Sequence, residues 1–509
     1  MLASSKPAVT AAALAVAAVT LLPIAVVAGD SLASSPGGVL DYLVRPRIGM
    51  LLRNTVLLVL ITVPASLVVG VGAAWLVERS DLPFANVWRV LLGAPLAVPA
   101  FVSSYAWISF RPGFDGLGAA ALVTTAAYFP FVYLPVAAIL RDLDAAPEED
   151  ARALGASPWT AWRRTVLPRL RPAMSGGALL VALHLLAEYG VLEMMRFPTF
   201  TTAILDQYEM SFSSDHGSML ALMLALLCVT VLTLEHLIRG HARTSRVGRG
   251  VHRPAAPVRL GRYTPLATSL LGVVVVVSLL VPVTLVSRWL VEHLVDTGPD
   301  TGLRPSLLLT TGSTVGLALA AAALTTLMAL PGAWLLTRRR SLWTMTLERV
   351  TYVASSLPGA VIGLALITLT VRSLPGIYQS PYLLVLGYTI LFIPRAMVSL
   401  RSGLAAAPPE LGEAARSLGS TPIETFGRVV LPLILPSVLT GAALVAIATA
   451  TELTATLLLS PTGTTTLATA FWAASDEFDY VGAAPYAAMM IILSAPLTVL
   501  MLRQSGMDR

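Results

Sequence analysis

Residues 149–172 read EDARALGASPWTAWRRTVLPRLRP, and residues 413–436 read EAARSLGSTPIETFGRVVLPLILP. The two stretches lie 264 residues apart and are identical at 11 of 24 positions. In the first copy the shared residues are Glu149, Ala151, Arg152, Leu154, Gly155, Pro158, Arg164, Val166, Leu167, Pro168 and Pro172. Both copies are polar islands in an apolar chain. A polar hairpin repeated between apolar segments implies two matching handles on one water face.

The apolar background sets the class. Hydrophobic residues make up 56% of the chain and charged residues 12%, with a mean hydropathy of +0.78. A soluble domain carries about 25% charged residues. Apolar runs of about 20 residues recur throughout, the length of a membrane-spanning helix rather than of an alternating barrel strand. Twelve spans are expected, roughly at 8–28, 50–77, 88–110, 117–140, 173–195, 217–238, 264–287, 307–336, 347–370, 381–402, 437–459 and 481–502. The first could also be read as a signal peptide behind Lys6, but no small-x-small cleavage site follows it. One cysteine, Cys228, excludes a disulfide framework and a cysteine-rich metal site within the chain.

Charge orients the spans. With the N-terminus inside, 26 of the 34 basic residues fall on the cytoplasmic side. Seven arginines crowd residues 239–262, and Arg338, Arg339 and Arg340 form a triplet. Acidic residues such as Asp206, Asp215, Asp300 and Glu477 collect on the opposite side. The positive-inside rule then places both termini, both hairpins and the basic segment in the cytoplasm. That segment lacks the interleaved aromatics of a nucleic-acid site, so a topogenic loop is expected and no nucleic-acid partner.

The repeat reaches beyond the hairpins. At the same offset Pro130 pairs with Pro394, Gly177 with Gly441, Glu188 with Glu452, and Thr201-Thr202 with Thr465-Thr466. Nearer each half's start the offset is 259, pairing Thr55 with Thr314, Trp75 with Trp334 and Pro99 with Pro358. Six spans per half is even, so both halves enter the membrane alike, as a parallel repeat about the membrane normal. The expected divisions are a first half over 1–240 with its hairpin at 141–172, a linker at 241–262, and a second half over 263–509 with its hairpin at 405–436.

Within each hairpin the residues spell helix, glycine turn, helix. Gly155 and Gly419 follow short helices at the place of a left-handed C-cap. Thr421-Pro422-Ile423-Glu424 is a capping box with proline in the first helical position, and Ser157-Pro158 starts the first copy without the glutamate. Leu167-Pro168 and Leu431-Pro432 are expected to end the second helix before the next span. An amphipathic hairpin that only anchors the loop is the simpler reading, but it does not explain two copies with one spacing.

Glu-Ala-Ala, a glycine four residues on, and a Leu-Pro pair resemble the EAA signature of type I ABC importer permeases. Here these are Glu413, Ala414, Ala415, Gly419, Leu431 and Pro432. The first copy has Glu149, Ala151, Gly155, Leu167 and Pro168, with Asp150 where alanine is usual. The resemblance implies an all-α integral membrane protein, with about twelve transmembrane helices as two parallel six-helix repeats of the MetI-like fold. It also implies that each elbow couples to a groove in an ATPase subunit, which with a second copy carries ATP and Mg. An extracytoplasmic binding protein would deliver the substrate across the bacterial cytoplasmic membrane. No cofactor or metal is expected in this chain. LLAEYGVLEMMRFPTFTTAI (185–204) and TELTATLLLSPTGTTTLATAFW (451–472) are similar to ferric-iron permeases of the FbpB/SfuB kind. Thiamine, polyamine, sulfate and molybdate permeases share the architecture.

Glu188 and Glu452 stand inside spans, where a carboxylate costs roughly 2.5–3.5 kcal/mol on insertion scales. Two readings stay open. They line a path with Tyr189, offering hard oxygens to a cation, or they bond to a neighbouring helix. His184, one turn before Glu188, reads as an interior group, Tyr105 and Tyr128 read as interfacial or packing aromatics, and Met194-Met195 and Met489-Met490 read as packing. Pro99 and Pro358 are expected to break their spans. No G-x-x-x-x-G-K-[ST], H-E-x-x-H or G-x-S-x-G occurs, so the chain has neither a P-loop ATP site nor these hydrolase constellations. A secondary carrier, the rival of a different class, has no use for two such elbows.

Overall fold

A computed structural model of the chain describes residues 7–33, 44–211, 214–239, 256–297, 305–338, 343, 344, 347, 351 and 357–504. Arg339, Arg340, Asp300 and the stretch 240–255 of the arginine-rich segment lie outside the described residues. Among the described residues regular structure is helical, and the one extended pairing is a bridge between Ser80 and Val258.

The first part of the chain forms α1 (Pro7–Ala33), α2 (Pro46–Arg79), α3 (Ala85–Gly93), α4 (Ala100–Phe110), α5 (Gly116–Tyr128), α6 (Pro130–Arg141), α7 (Ala146–Ala153), α8 (Pro158–Ala161), α9 (Leu167–Ala187), α10 (Gly190–Met194), α11 (Phe200–Ser211) and α12 (Ser214–Arg239). The second part forms α13 (Thr264–Val275), α14 (Val281–Thr297), α15 (Pro305–Arg338), α16 (Gly359–Ser373), α17 (Pro381–Ala406), α18 (Pro409–Ser417), α19 (Pro422–Thr425), α20 (Leu431–Ala450), α21 (Thr454–Leu459), α22 (Leu467–Asp476) and α23 (Tyr480–Gln504). Proline opens many of these helices, where its missing N–H is not needed and its fixed φ suits the first turn.

Among the described residues nine helical runs are long and apolar enough to cross a membrane. A tenth is a bent pair, Ala85–Ala97 with Ala100–Phe110, turned by 93°. Two shorter apolar helices, Gly359–Ser373 and Tyr480–Pro496, account for the other expected segments. The bend falls at Pro99, which forces Val98 before it into extended backbone (φ −97°, ψ 115°). Pro358 takes the same place at the start of α16. A sequence window sees apolar length, and so it reads the broken pair as one straight span.

The helices group into two compact units that do not follow chain order. One comprises residues 1–44, 203–226 and 301–473, and the other 45–202, 227–300 and 474–509. In the first unit α1 packs on α15 and α16, some 300 residues further along the chain. There Asp30 of α1, nearly buried, accepts a 2.8 Å hydrogen bond from Ser218 and pairs with Arg372 of α16. In the second unit α14 packs on α4 and α23. Tyr105, Trp289 and Tyr480 cluster there, with Tyr105 and Tyr480 stacked at 4.8 Å and Tyr105 5.8 Å from Trp289. Tyr105 is thus packing, as expected, and Met195 and Met490 are fully buried.

The repeat glycines mark close approach. A Cβ on Gly177 would sit 2.8 Å from the Phe131 carbonyl oxygen on α6, and one on Gly441 would sit 3.1 Å from Ser399 Cβ on α17. The repeat threonines also act in parallel. Thr55 accepts the Phe200 N–H at 3.5 Å, and Thr314 accepts the Leu467 N–H at 2.8 Å, each tying its helix to the start of a later one.

Candidate functional site

Each elbow begins with a short polar helix, α7 or α18, that stops in the same way. Gly155 and Gly419 have φ of +87° and +91°, a region that costs other residues strain. In the first elbow the Gly155 N–H bonds to Arg152 O and the Ala156 N–H to Ala151 O, each at 3.0 Å. In the second, the Gly419 N–H bonds to Arg416 O at 3.0 Å and the Ser420 N–H to Ala415 O at 3.1 Å. This paired 5→2 and 6→1 closure is a Schellman turn. Ala151, Ala415 and the two glycines are therefore parts of one device. The Ala414 carbonyl accepts the Leu418 N–H at 3.1 Å just inside it. Glu149 and Glu413 lie exposed on the outer surface of the polar helices.

The chain re-enters helix at Pro158 and Pro422. Ser157 accepts the Thr160 N–H at 3.3 Å. Thr421 forms the full box: its hydroxyl accepts the Glu424 N–H at 3.3 Å, and Glu424 accepts the Thr421 N–H at 2.9 Å. From here the structure corrects the sequence expectation. Leu167-Pro168 and Leu431-Pro432 do not end the helix. One wide turn, Trp162–Val166 or Phe426–Val430, carries it straight into α9 or α20. Proline has no N–H to offer the carbonyl four residues back, and its ring crowds that carbonyl. The ladder slips to i→i+5, so Leu167 N–H bonds to Trp162 O and Leu431 N–H to Phe426 O. Each Leu-Pro thus makes elbow and span one continuous rod.

Two pairs of residues escaped the sequence reading. Leu154 is 89% exposed and its counterpart Leu418 is 87% exposed. Trp159 and Ile423, also 264 residues apart, are 66% and 83% exposed. Each elbow thus presents two large apolar side chains to solvent, flanking its glycine turn. The identity of Leu154 and Leu418 was visible in the repeat, but their exposure required the turn geometry.

The first elbow is also tied to its bundle by charge. Glu78 at the end of α2 has a nearly inaccessible side chain, and pairs with Arg89 of α3 and Arg141 of α6, each at 2.8 Å. Arg79 pairs with Glu148 in α7.

Glu188 and Glu452 occupy breaks in the helices that follow the elbows. Glu188 ends α9 in extended conformation and its Oε1 accepts the Val191 N–H of α10 at 3.0 Å. Glu452 Oε1 accepts the Ala455 N–H of α21, also at 3.0 Å. Both carboxylates are caps for a short helix, which satisfies an orphan donor inside an apolar layer. Tyr128 also donates its hydroxyl to Glu188, so it is more than packing. Its ring lies 5.5 Å from His184, whose own ring is 4.4 Å from Phe131. Tyr189 is nearly buried beside the first break. Near the second, Tyr388 shares a 2.7 Å hydrogen bond with Thr456. Among the described residues no three His, Cys, Asp or Glu side chains converge as metal ligands.

These features define an integral membrane permease built from two repeats. The chain belongs to the family described as binding-protein-dependent transport system inner membrane component, whose pattern matches residues 66–244 and again 307–505. It is 34% identical over 457 residues to the Fe(3+)-transport system permease protein FbpB 2 of Haemophilus influenzae, covering 89% of this chain and 90% of that protein. It is 27% identical over 208 residues to a Synechocystis sulfate transport system permease protein CysW, covering 37% of this chain and 75% of the relative. The Escherichia coli CysW is 27% identical over 221 residues, 40% of this chain and 76% of that protein. All three relatives are transport permeases.

Proposed function

We propose that the chain is the translocation subunit of an ATP-driven, binding-protein-dependent importer of ferric iron. The observation that carries the coupling part is the duplicated elbow: one Schellman turn, one wide turn onto a rod-like span, and two exposed apolar side chains, made twice. Two handles of matching backbone suit two like partners, a pair of ATPase subunits that hold ATP and Mg. Glu149, Ala151, Gly155, Leu167 and Pro168 build one handle. Glu413, Ala414, Ala415, Gly419, Leu431 and Pro432 build the other. Leu154, Trp159, Leu418 and Ile423 add apolar contact area. The arginine bias sets both handles and both termini in the cytoplasm.

In this reading a loaded binding protein docks on the opposite face. ATP-driven closure of the ATPases moves the elbows, and the continuous rods carry that motion to the breaks at Glu188, Tyr189 and Glu452, which belong to the path. The iron assignment rests on the ferric permease relative, which is matched over nearly its whole length. A sulfate cargo is the second reading, supported by the sulfate permease relatives over part of the chain.

Charge reversal at Glu149 and Glu413 tests the coupling. Loss of ATPase co-purification and of uptake is expected, and full retention of both removes the elbows from this role. Radio-iron uptake by cells with and without the chain, compared with labelled thiamine and sulfate, tests the cargo. Iron uptake that does not depend on the chain overturns that assignment.

A further inference from the structure

The segment that leads into the second half of the chain is fastened to the first repeat. Pro257 has a fixed φ and no N–H, and the β-branched Val258 after it favours extended backbone. Ser80, which ends α2, is extended too (φ −120°, ψ 167°), and Leu82 precedes Pro83, which disfavours helix there. The two extended pieces pair. The Val258 N–H donates to the Arg79 carbonyl at 2.8 Å, and the Asp81 N–H donates to the Val258 carbonyl at 3.1 Å. The Leu260 N–H donates to Asp81 Oδ1 at 2.8 Å. The contact is made by backbone, since the Val258 side chain is 45% exposed. Leu260 packs on the core of the first repeat, and after one short turn, Gly261–Tyr263, the chain enters α13. Ala267, Leu271 and Val275 of α13 are buried in that same core, with Val77 and Leu82.

Arg79 makes this junction more than a fastening. Its carbonyl holds Val258, and its buried guanidinium pairs with Glu148 in the first turn of α7, the polar helix of the first elbow. One residue at the end of α2 therefore joins the elbow to the segment before α13. No loop intervenes: Glu148 to Arg79 is one ion pair, and Arg79 to Val258 is one hydrogen bond. In the second elbow Gly412 stands in the place of Glu148, and glycine has no side chain for such a link.

We propose that residues 258–260 are a strap that couples the first elbow to α13. Motion delivered at this elbow then enters two spans, α9 through the wide turn and α13 through Arg79. The second elbow, without the carboxylate, drives α20 alone. Asp81 and Val258 are the positioning residues of the strap. This rests on the elbow-coupling reading above.

The test uses membrane vesicles holding the chain with its own ATPase and binding protein, and compares wild type with Asp81→Ala, Val258→Pro and Val258→Ala. Asp81→Ala removes the acceptor for the Leu260 N–H, and Val258→Pro removes the donor to Arg79. Val258→Ala keeps every backbone bond and should match wild type. Uptake is read with radio-iron, or with labelled sulfate if the wild type takes up that instead, and is divided by the ATP hydrolysed. Asp81→Ala and Val258→Pro should each lower this ratio about three- to tenfold, the effect of one lost hydrogen bond, with the ATPase still co-purifying. Amide exchange should quicken over α7 and α13 and stay unchanged over α18. Glu148→Gln cuts the same route, so adding it to Val258→Pro should lower the ratio no further, whereas adding Gly419→Ala should multiply the loss. If Val258→Pro does not accumulate, Asp81→Ala is carried through the same pairs. A wild-type ratio in both strap variants, a Val258→Ala variant as poor as Val258→Pro, or losses that multiply with Glu148→Gln each overturn the strap. Charge reversal at Glu149 and Glu413 is run beside them. If it leaves uptake intact, the elbows do not couple and the strap falls with them. If it abolishes uptake while the strap variants transport normally, the strap alone falls.

Discussion

The two elbows share a backbone and differ in their moorings. Both close through a glycine with φ near +90°, and both run through a wide turn into a span. Only the first is held by the Glu78–Arg89–Arg141 cluster and the Arg79–Glu148 pair. In the second repeat Glu78, Arg141 and Glu148 correspond to Thr337, Ala405 and Gly412. Arg338 remains in the place of Arg79, but it lies 5.3 Å from the Trp334 ring centre and donates to the Ala407 carbonyl at 3.5 Å. The second elbow has instead a complete capping box. The duplication thus keeps the residues that set direction and lets those that set stiffness diverge. Shape is what two like partners must find in common, and stiffness is a local property of each unit.

The largest test of this difference is Glu78→Gln. It leaves Arg89 and Arg141, both mostly buried, facing one another without their shared carboxylate. Removing one partner of a buried ionic cluster costs about 3 kcal/mol or more. A clear fall in thermal midpoint is expected, with faster amide exchange over 146–166 and little change over 409–430. Thr337→Ala, the counterpart, should stay within about 0.5 kcal/mol. Equal losses in both variants, or loosening of both elbows by Glu78→Gln, would dissolve the contrast.

The glycine turns come next, and here the elbows should behave alike. A Cβ on Gly155 or Gly419 meets nothing within 4 Å, so the penalty for alanine is backbone strain alone. It should amount to about 1–2 kcal/mol in each elbow. Exchange at the Ala156 and Ser420 amides, which close the turns, reads this directly. A penalty confined to one elbow means that the mooring, and not the turn, fixes its shape.

Much of this was legible in the sequence, and the limits have physical causes. The elbow turns were readable because glycine, proline and the Thr-x-x-Glu box act on their own neighbours. The break at Pro99 was readable because proline restricts the residue before it. The Leu-Pro pairs were misread as stops. Local rules say that proline removes a donor, but not that a single i→i+5 turn can absorb the loss. The grouping of α1 with α15 and α16 was not legible at all, since an apolar helix carries no record of which neighbour it packs on. Asp30, paired with Arg372, was a polar trace of it. Glu188 and Glu452 were found by their cost in an apolar span, but their capping role needed the helix breaks, which hydropathy smooths over.

The smallest expected effect separates the two helix starts. Thr421→Ala removes the hydroxyl that accepts the Glu424 N–H and leaves the Thr421 N–H on Glu424, and should cost about 1 kcal/mol. Ser157→Ala removes a single bond to the Thr160 N–H and should cost less. The position of Glu424 is held by Thr160 in the first elbow, whose hydroxyl lies 2.8 Å from Ser157 Oγ. Thr160→Glu therefore should complete a box there and slow exchange of the Ser157 amide by severalfold. The gain should be smaller than the loss in Thr421→Ala, because the first elbow already leans on the Arg79–Glu148 pair. In a Glu148→Gln background that support is gone, and the added box should matter more. If its effect is the same in both backgrounds, cap and ion pair act independently and the mooring does not compensate for the weaker cap.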